Sequence, residues 1–217
     1  MYNPLSALSM KNVTFHKPNC KNRYNFPINK KNDPHDISGV NFRINGKTYI
    51  LKNLMHTNSG SWYIYNVSEF TCKGILKDTN IIAKVMVTGW LKRENVISES
   101  SLFQKASNSN ISPKYIGTTS RKQENGKEML IIFMKKWGMG TLDDLSKTMN
   151  ITHPNIQHKL KTLLDKMYNA KIVHLDLHPG NILYNIDKNG VLSFKIIDFG
   201  SAKVNYVKPC NRSYKIF

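Results

Sequence analysis

Three residues near the C-terminal end of this 217-residue chain could carry phosphoryl-transfer chemistry. In His174-Leu175-Asp176-Leu177-His178-Pro179-Gly180-Asn181, an aspartate and an asparagine stand five apart, and Asp198 follows seventeen residues later, ahead of Phe199-Gly200. Phosphoryl transfer asks for one carboxylate that orients an attacking hydroxyl and accepts its proton. It also asks for oxygen ligands that hold magnesium against nucleotide phosphates, and an amide with a carboxylate suits that hard cation. The plainer alternative is a loop with an Asx turn and an unrelated strand-end turn at Asp198-Phe199-Gly200.

The flanking elements are those such residues would need. Ile156, Leu160, Leu163, Leu164 and Met167 fall on one face of a helix spanning about Pro154 to Ala170, with the proline in its first turn. The loop His174–Asn181 comes next, then strands over Ile182–Asn185 and Val191–Ile197 that end at Asp198. Thr141 can cap a short helix carrying Asp143 and Asp144 in its first turn. Upstream, Val40–Ile44 and Lys47–Lys52 read as a hairpin about Asn45-Gly46. Further strands are expected at Trp62–Val67, Asn80–Val87 and Lys127–Met134, with a helix from about Glu94 to Ala106. Lys84 lies inside an apolar strand, Ile82-Ala83-Lys84-Val85. A buried ammonium needs a partner. Glu99, at the start of an apolar helical stripe, is the first candidate and Glu94 the competitor; the alternative is an edge-strand lysine reaching solvent.

The His174–Gly200 segment resembles the catalytic loop and D-F-G motif of the protein-kinase-like superfamily. The resemblance implies that Asp176 is the catalytic base and that Asn181 and Asp198 hold Mg2+ on ATP. It makes Lys84 the ligand of the α- and β-phosphates, paired with Glu99. Asn58-Ser59-Gly60-Ser61 takes the place of the Gly-rich loop, with one glycine of three left. Phe133 or Met134 would sit beside the adenine, with backbone groups near Lys135 and Lys136 bonded to it. The fold implied is α+β and two-lobed: an irregular basic arm over residues 1–38, an antiparallel-sheet N-lobe over 39–137, and a truncated, mostly helical C-lobe over 138–217. The resemblance is to a minimal, atypical serine/threonine protein kinase, such as the reduced kinases of large DNA viruses. Leu175 stands where such motifs have arginine and His178 where they have lysine. His178-Pro179 keeps a small-molecule kinase of the aminoglycoside and choline type open, and the reduced glycine loop keeps open a non-catalytic binding module.

Composition narrows the rest. Lys and Arg outnumber Asp and Glu 32 to 14, a formal net charge of +18. Such a charge attracts polyanions, an acidic protein or nucleic acid among them; drift toward Lys, Asn and Ile is the equal alternative. No apolar run reaches membrane-spanning length, and three widely spaced cysteines fit a reducing, intracellular compartment. A protein substrate is the expected acceptor, and a partner chain could complete the C-lobe.

Overall fold

In the computed structural model of the chain, residues 37–58, 62–71, 75–87, 93–122 and 128–204 are described. Asn45 and Gly46 take φ of 49° and 78°, the left-handed pair that a two-residue hairpin turn requires. They join β1 (Asn41–Ile44) to β2 (Lys47–Asn58). β3 (Trp62–Phe70) and β4 (Leu76–Val87) continue the antiparallel run. Then α1 (Arg93–Asn108), β5 (Tyr115–Lys122) and β6 (Glu128–Lys135) complete a six-stranded sheet in the order β1-β2-β3-β4-β6-β5.

This sheet is buried on both faces, so alternation along each strand assigns residues to two different cores. Ala83, Val85, Ile131 and Phe133 pack with Phe42, Tyr49, Leu51, Tyr63 and Tyr65 on the outer face. Met86, Leu130, Ile132 and Met134 face α1 and join a second core, which continues through Leu142, Leu145, Leu160, Met167 and Phe199. That core crosses the expected boundary at residues 137/138, so the two halves share one apolar interior. The expected arm ends sooner than residue 38. Ile37 is buried in the outer core and its N–H donates to the Tyr65 hydroxyl at 3.2 Å, while Gly39 N–H reaches the Leu51 carbonyl at 2.7 Å. The rest of the arm, residues 1–36, lies outside the described residues.

The second half runs through β7 (Gly140–Thr141), α2 (Leu142–Ser146), α3 (Pro154–Asn169), β8 (Ile172–Val173), β9 (Ile182–Ile186), β10 (Leu192–Ile196) and β11 (Lys203–Val204). Among the described residues its helical part is α2, α3 and two single 3-10 turns, Pro179–Asn181 and Phe199–Ser201; the strands form small sheets, β10-β9-β7 and β11-β8. Two helix starts follow the expected chemistry. Thr141 and Asp144 form a capping box on α2, and Pro154 opens α3. His153 caps α3 by accepting from Asn155 N–H at 3.3 Å. The stripe Ile156, Leu160, Leu163 and Met167 is buried as expected. No helix among the described residues is long and apolar enough to cross a membrane.

Candidate active site

β4 places Lys84 on the α1-facing side of the sheet, opposite Ile64 on β3 and Ile132 on β6. An ammonium there, with its side chain 10% exposed, must be paired or it would cost several kcal/mol. It is paired twice. Lys84 Nζ lies 2.7 Å from Glu99 Oε1, presented by α1, and 2.7 Å from Asp198 Oδ1, which follows β10. The Trp62 ring stands 5.5 Å from the same nitrogen, within cation–π range. Burial alone would lower the Lys84 pKa, but the two carboxylates outweigh it and raise the value. Burial dominates at Glu99 and lifts its carboxyl above the usual range, against the pull of Lys84. Burial would also lift Asp198, yet Lys84 and the Gly200 N–H hold it below the usual range. Glu94 lies in the first turn of α1, and Glu99 is the partner of Lys84.

Asp198 reaches this position through a left-handed backbone, φ 61° and ψ 70°. Such a conformation costs a non-glycine residue about 1–3 kcal/mol unless its surroundings impose it. The imposing contact is the next residue. Phe199 is fully buried, its ring 5.9 Å from Phe103 on α1 and 5.2 Å from His174. Phe103 lies in turn 6.1 Å from Tyr115 on β5, so a chain of rings runs from the sheet to the loop after β8. His174 Nε2 donates to the Ile197 carbonyl at 2.9 Å, which braces the loop after β8 against the end of β10. Burial pushes the imidazole pKa down, against that hydrogen bond and the nearby carboxylates, which favours the neutral ring.

The loop between β8 and β9 carries the remaining groups. Leu175 is left-handed at φ 63° and 59% exposed, and Asp176 beside it is exposed. Asn181 is buried. Its Nδ2 donates to the Asp176 carbonyl at 2.9 Å, and its own carbonyl accepts from Ile197 N–H at 3.0 Å. His178 Nδ1 accepts from Gly180 N–H at 3.2 Å and caps the single turn Pro179–Asn181. These bonds tie the Asp176–Asn181 loop to the Ile197–Asp198 end of β10. They leave the amide oxygen of Asn181 outside these contacts, and Asp198 carries a second carboxylate oxygen beside the one on Lys84. Two such oxygens fit Mg2+ shared with nucleotide phosphates, because that ion accepts few protein ligands and completes its shell with phosphate and water. Among the described residues no group of three or more His, Cys, Asp or Glu side chains could hold a metal alone.

The residues expected around the nucleotide divide. Met134 shares the Lys84 face of the sheet, opposite Ile82. Phe133 does not. It pairs with Ala83, is 0% exposed, and its ring lies 6.0 Å from Phe42, edge to face, and 6.1 Å from Tyr49, tilted, in the outer core. Strand alternation thus removes Phe133 from the cleft. The N–H groups of Lys135 and Lys136 are committed to the Lys114 and Asn80 carbonyls at 2.9 and 3.0 Å, so neither can donate to a base. Trp137 is the first residue of this segment whose backbone has no hydrogen-bond partner among the described residues. Asn58 ends β2 and pairs with Trp62, while Ser59, Gly60 and Ser61 lie outside the described residues. Trp62 and Trp137 lie in segments expected to border the nucleotide but were given no role of their own; each is a large aromatic near a strand end, a signal that spacing alone does not single out.

No curated protein matches the chain. The family model described as protein kinase domain matches residues 69–215, which takes in Lys84, Glu99, Asp176, Asn181 and Asp198 and leaves β1 and β2 outside. A kinase domain implies phosphate transfer from ATP and usually a divalent metal. With two thirds of its length matched by that model, the chain belongs to the protein kinase domain family.

Proposed function

We propose that this chain is an ATP- and Mg2+-dependent serine/threonine protein kinase, with residues 39–137 and 138–217 acting as its two lobes. The observation that carries the reading is the double pairing of Lys84 with Glu99 and Asp198, each at 2.7 Å. A lysine held by two carboxylates at the mouth of a strand, beside an amide–carboxylate oxygen pair, suits a triphosphate with its metal. Lys84 would contact the α- and β-phosphates, with Glu99 fixing its position. Asn181 and Asp198 would hold Mg2+, which neutralises charge on the β- and γ-phosphate oxygens. Met134 would border the base, and the backbone of Trp137 would offer its hydrogen bonds.

Asp176 is exposed, which allows an acceptor as large as a protein to approach it. Its carboxylate takes the proton of a serine or threonine hydroxyl as that oxygen bonds to the γ-phosphorus and the bond to ADP breaks. The match to a protein kinase domain supports a protein acceptor over a small alcohol.

The test is labelled ATP with Mg2+ and a mixed protein substrate, with wild type beside Asp176→Asn, followed by identification of the labelled amino acid. Label on serine or threonine with wild type alone supports the reading. Equal labelling by both proteins, or label on neither serine nor threonine, overturns it.

A further inference from the structure

The net charge of +18 has no part in phosphate transfer, yet part of it is gathered in one place. Lys135 ends β6 and Lys136 follows it, both exposed, and Trp137 comes next, half-buried. The Lys135 N–H bonds to the Lys114 carbonyl at 2.9 Å, which sets exposed Lys114 alongside Lys135 across the end of β5 and β6. On the other side, Lys195 Nζ stands 5.9 Å from the Trp137 ring and donates to the Asn110 carbonyl at 3.0 Å. Lys166 on α3 is near enough to act electrostatically on Lys195, whose pKa burial lowers first and Lys166 lowers further.

Among the described residues none of these five lysines is paired with a carboxylate. Asp165, next to Lys166 in sequence, is taken by Lys161 at 2.7 Å. Elsewhere Lys47, Lys52 and Lys147 each have a carboxylate within 3.2 Å. Like charges set opposite one another at strand ends destabilise a fold. Here Lys114 and Lys135 meet across the end of β5 and β6, and Lys195, within electrostatic reach of Lys166, stands beside the tryptophan. A surface that keeps this repulsion suits a ligand that removes it, and repeated phosphates do so with release of counterions. The tryptophan selects among polyanions. An acidic protein or an anionic bilayer would use the charges alone, whereas an aromatic ring among lysines suits a strand whose bases are free to stack.

We propose that Lys114, Lys135, Lys136, Trp137, Lys166 and Lys195 form a binding surface for single-stranded nucleic acid on the outside of the segment joining the two halves. It does not depend on the kinase reading, since none of these side chains is assigned to phosphate transfer.

The experiment is fluorescence anisotropy of a labelled 20-nucleotide oligo(U) with the full chain between 50 and 200 mM KCl. At about 0.7 per neutralised phosphate, five lysines give a log–log salt slope near −3.5, or about 100-fold weaker binding over that range. Lys114→Ser/Lys135→Ser/Lys166→Ser should flatten the slope by about 2. The control Lys77→Ser/Lys147→Ser/Lys188→Ser removes the same charge and should leave the slope unchanged. Melting curves establish that both triples fold. If the first does not, the single reversals Lys135→Glu and Lys188→Glu make the same comparison. Equal weakening by patch and control variants overturns the proposal, as does equal or tighter binding of duplex RNA, polyglutamate or phosphatidylserine vesicles.

Discussion

Lys84→Met isolates the central pairing. The substitution keeps the length of the side chain and removes its charge, which leaves Glu99 buried at 8% exposure without a counter-charge. Removing one partner of a buried ion pair costs about 3–5 kcal/mol. The lower end applies here, because Asp198, at 34%, can turn part of its carboxylate to water. For a chain of this size about 3 kcal/mol corresponds to a fall in Tm of roughly 6–12 °C. Lys84→Met/Glu99→Leu should recover most of that loss, since it removes the stranded charge together with its partner and refills the space. The pH dependence gives the sharper test. Burial already holds the Glu99 carboxyl above its ordinary value, and losing Lys84 removes what opposes that shift. A carboxyl whose folded pKa is raised binds its proton more tightly in the folded state, so stability falls as pH rises from the unfolded value of about 4.5 through the folded one. The Lys84→Met deficit should therefore be small near pH 5 and largest near pH 8, while the double variant stays flat. Urea titrations at four pH values measure both. A deficit below about 1 kcal/mol, or one that grows on acidification, would refute the pairing argument.

Asp176→Asn should lower phosphate transfer by about 10²-fold or more and leave Tm within about 2 °C, because the asparagine still offers the backbone carbonyl that Asn181 grips; parallel kinase assays and melts check both. Thr141→Ala removes the hydroxyl that caps α2 and should cost about 1 kcal/mol by urea unfolding. The bonds from Thr141 N–H and Oγ1, with help from Lys147, hold the Asp144 carboxyl at about 2. The support it gives α2 is complete above its ordinary value near 3.8 and disappears as pH falls toward 2, so Asp144→Asn should flatten wild type's acid sensitivity in that window. Gly138→Ala should destabilise by about 1–3 kcal/mol in the same titration: its φ is +89° and an added Cβ would lie 2.8 Å from the Tyr184 carbonyl oxygen.

What could be read ahead of the structure follows a physical division. The pairing of Lys84 with Glu99 was legible because buried charge demands a partner, and Asp176, Asn181 and Asp198 stood out as candidates because magnesium takes oxygen ligands. The Asn45-Gly46 hairpin and the amphipathic α3 were legible because turn chemistry and a helical stripe are local properties. β5 was not anticipated: Tyr115–Lys122 is an edge strand rich in Gly, Thr, Ser, Arg and Lys, and its one glycine lets Ile44 approach. β7, β8 and β11 have two residues each and owe their form to pairing partners distant in sequence. The misplacement of Phe133 comes from burial on both sides of β6. Where every residue is apolar, alternation carries no sign of which face is which. Only the register with β4, which sets Lys84 against Ile132 and Ala83 against Phe133, decides it.

The arrangement of costs separates function from mere stability. Buried polar side chains are few in the described residues, and Lys84, Glu99, His174 and Asn181 are among them. A core selected for stability alone would do as well or better with an apolar pair in place of Lys84 and Glu99. Leu175 and Asp198 add left-handed strain at two non-glycine positions, one beside Asp176 and the other at the carboxylate on Lys84. Neither is needed to pass the chain from β8 to β9 or out of β10, where glycine would serve with less strain. The strain at Leu175 and Asp198 adjoins the Tyr115–Phe103–Phe199–His174 ring chain, which is continuous with the core shared by both halves. Strain persists only where the surroundings over-determine it. The ring chain seats Phe199 beside the left-handed Asp198, so a cavity made at Phe103, one turn along α1 from Glu99, would loosen the backbone that holds the metal-ligand candidate.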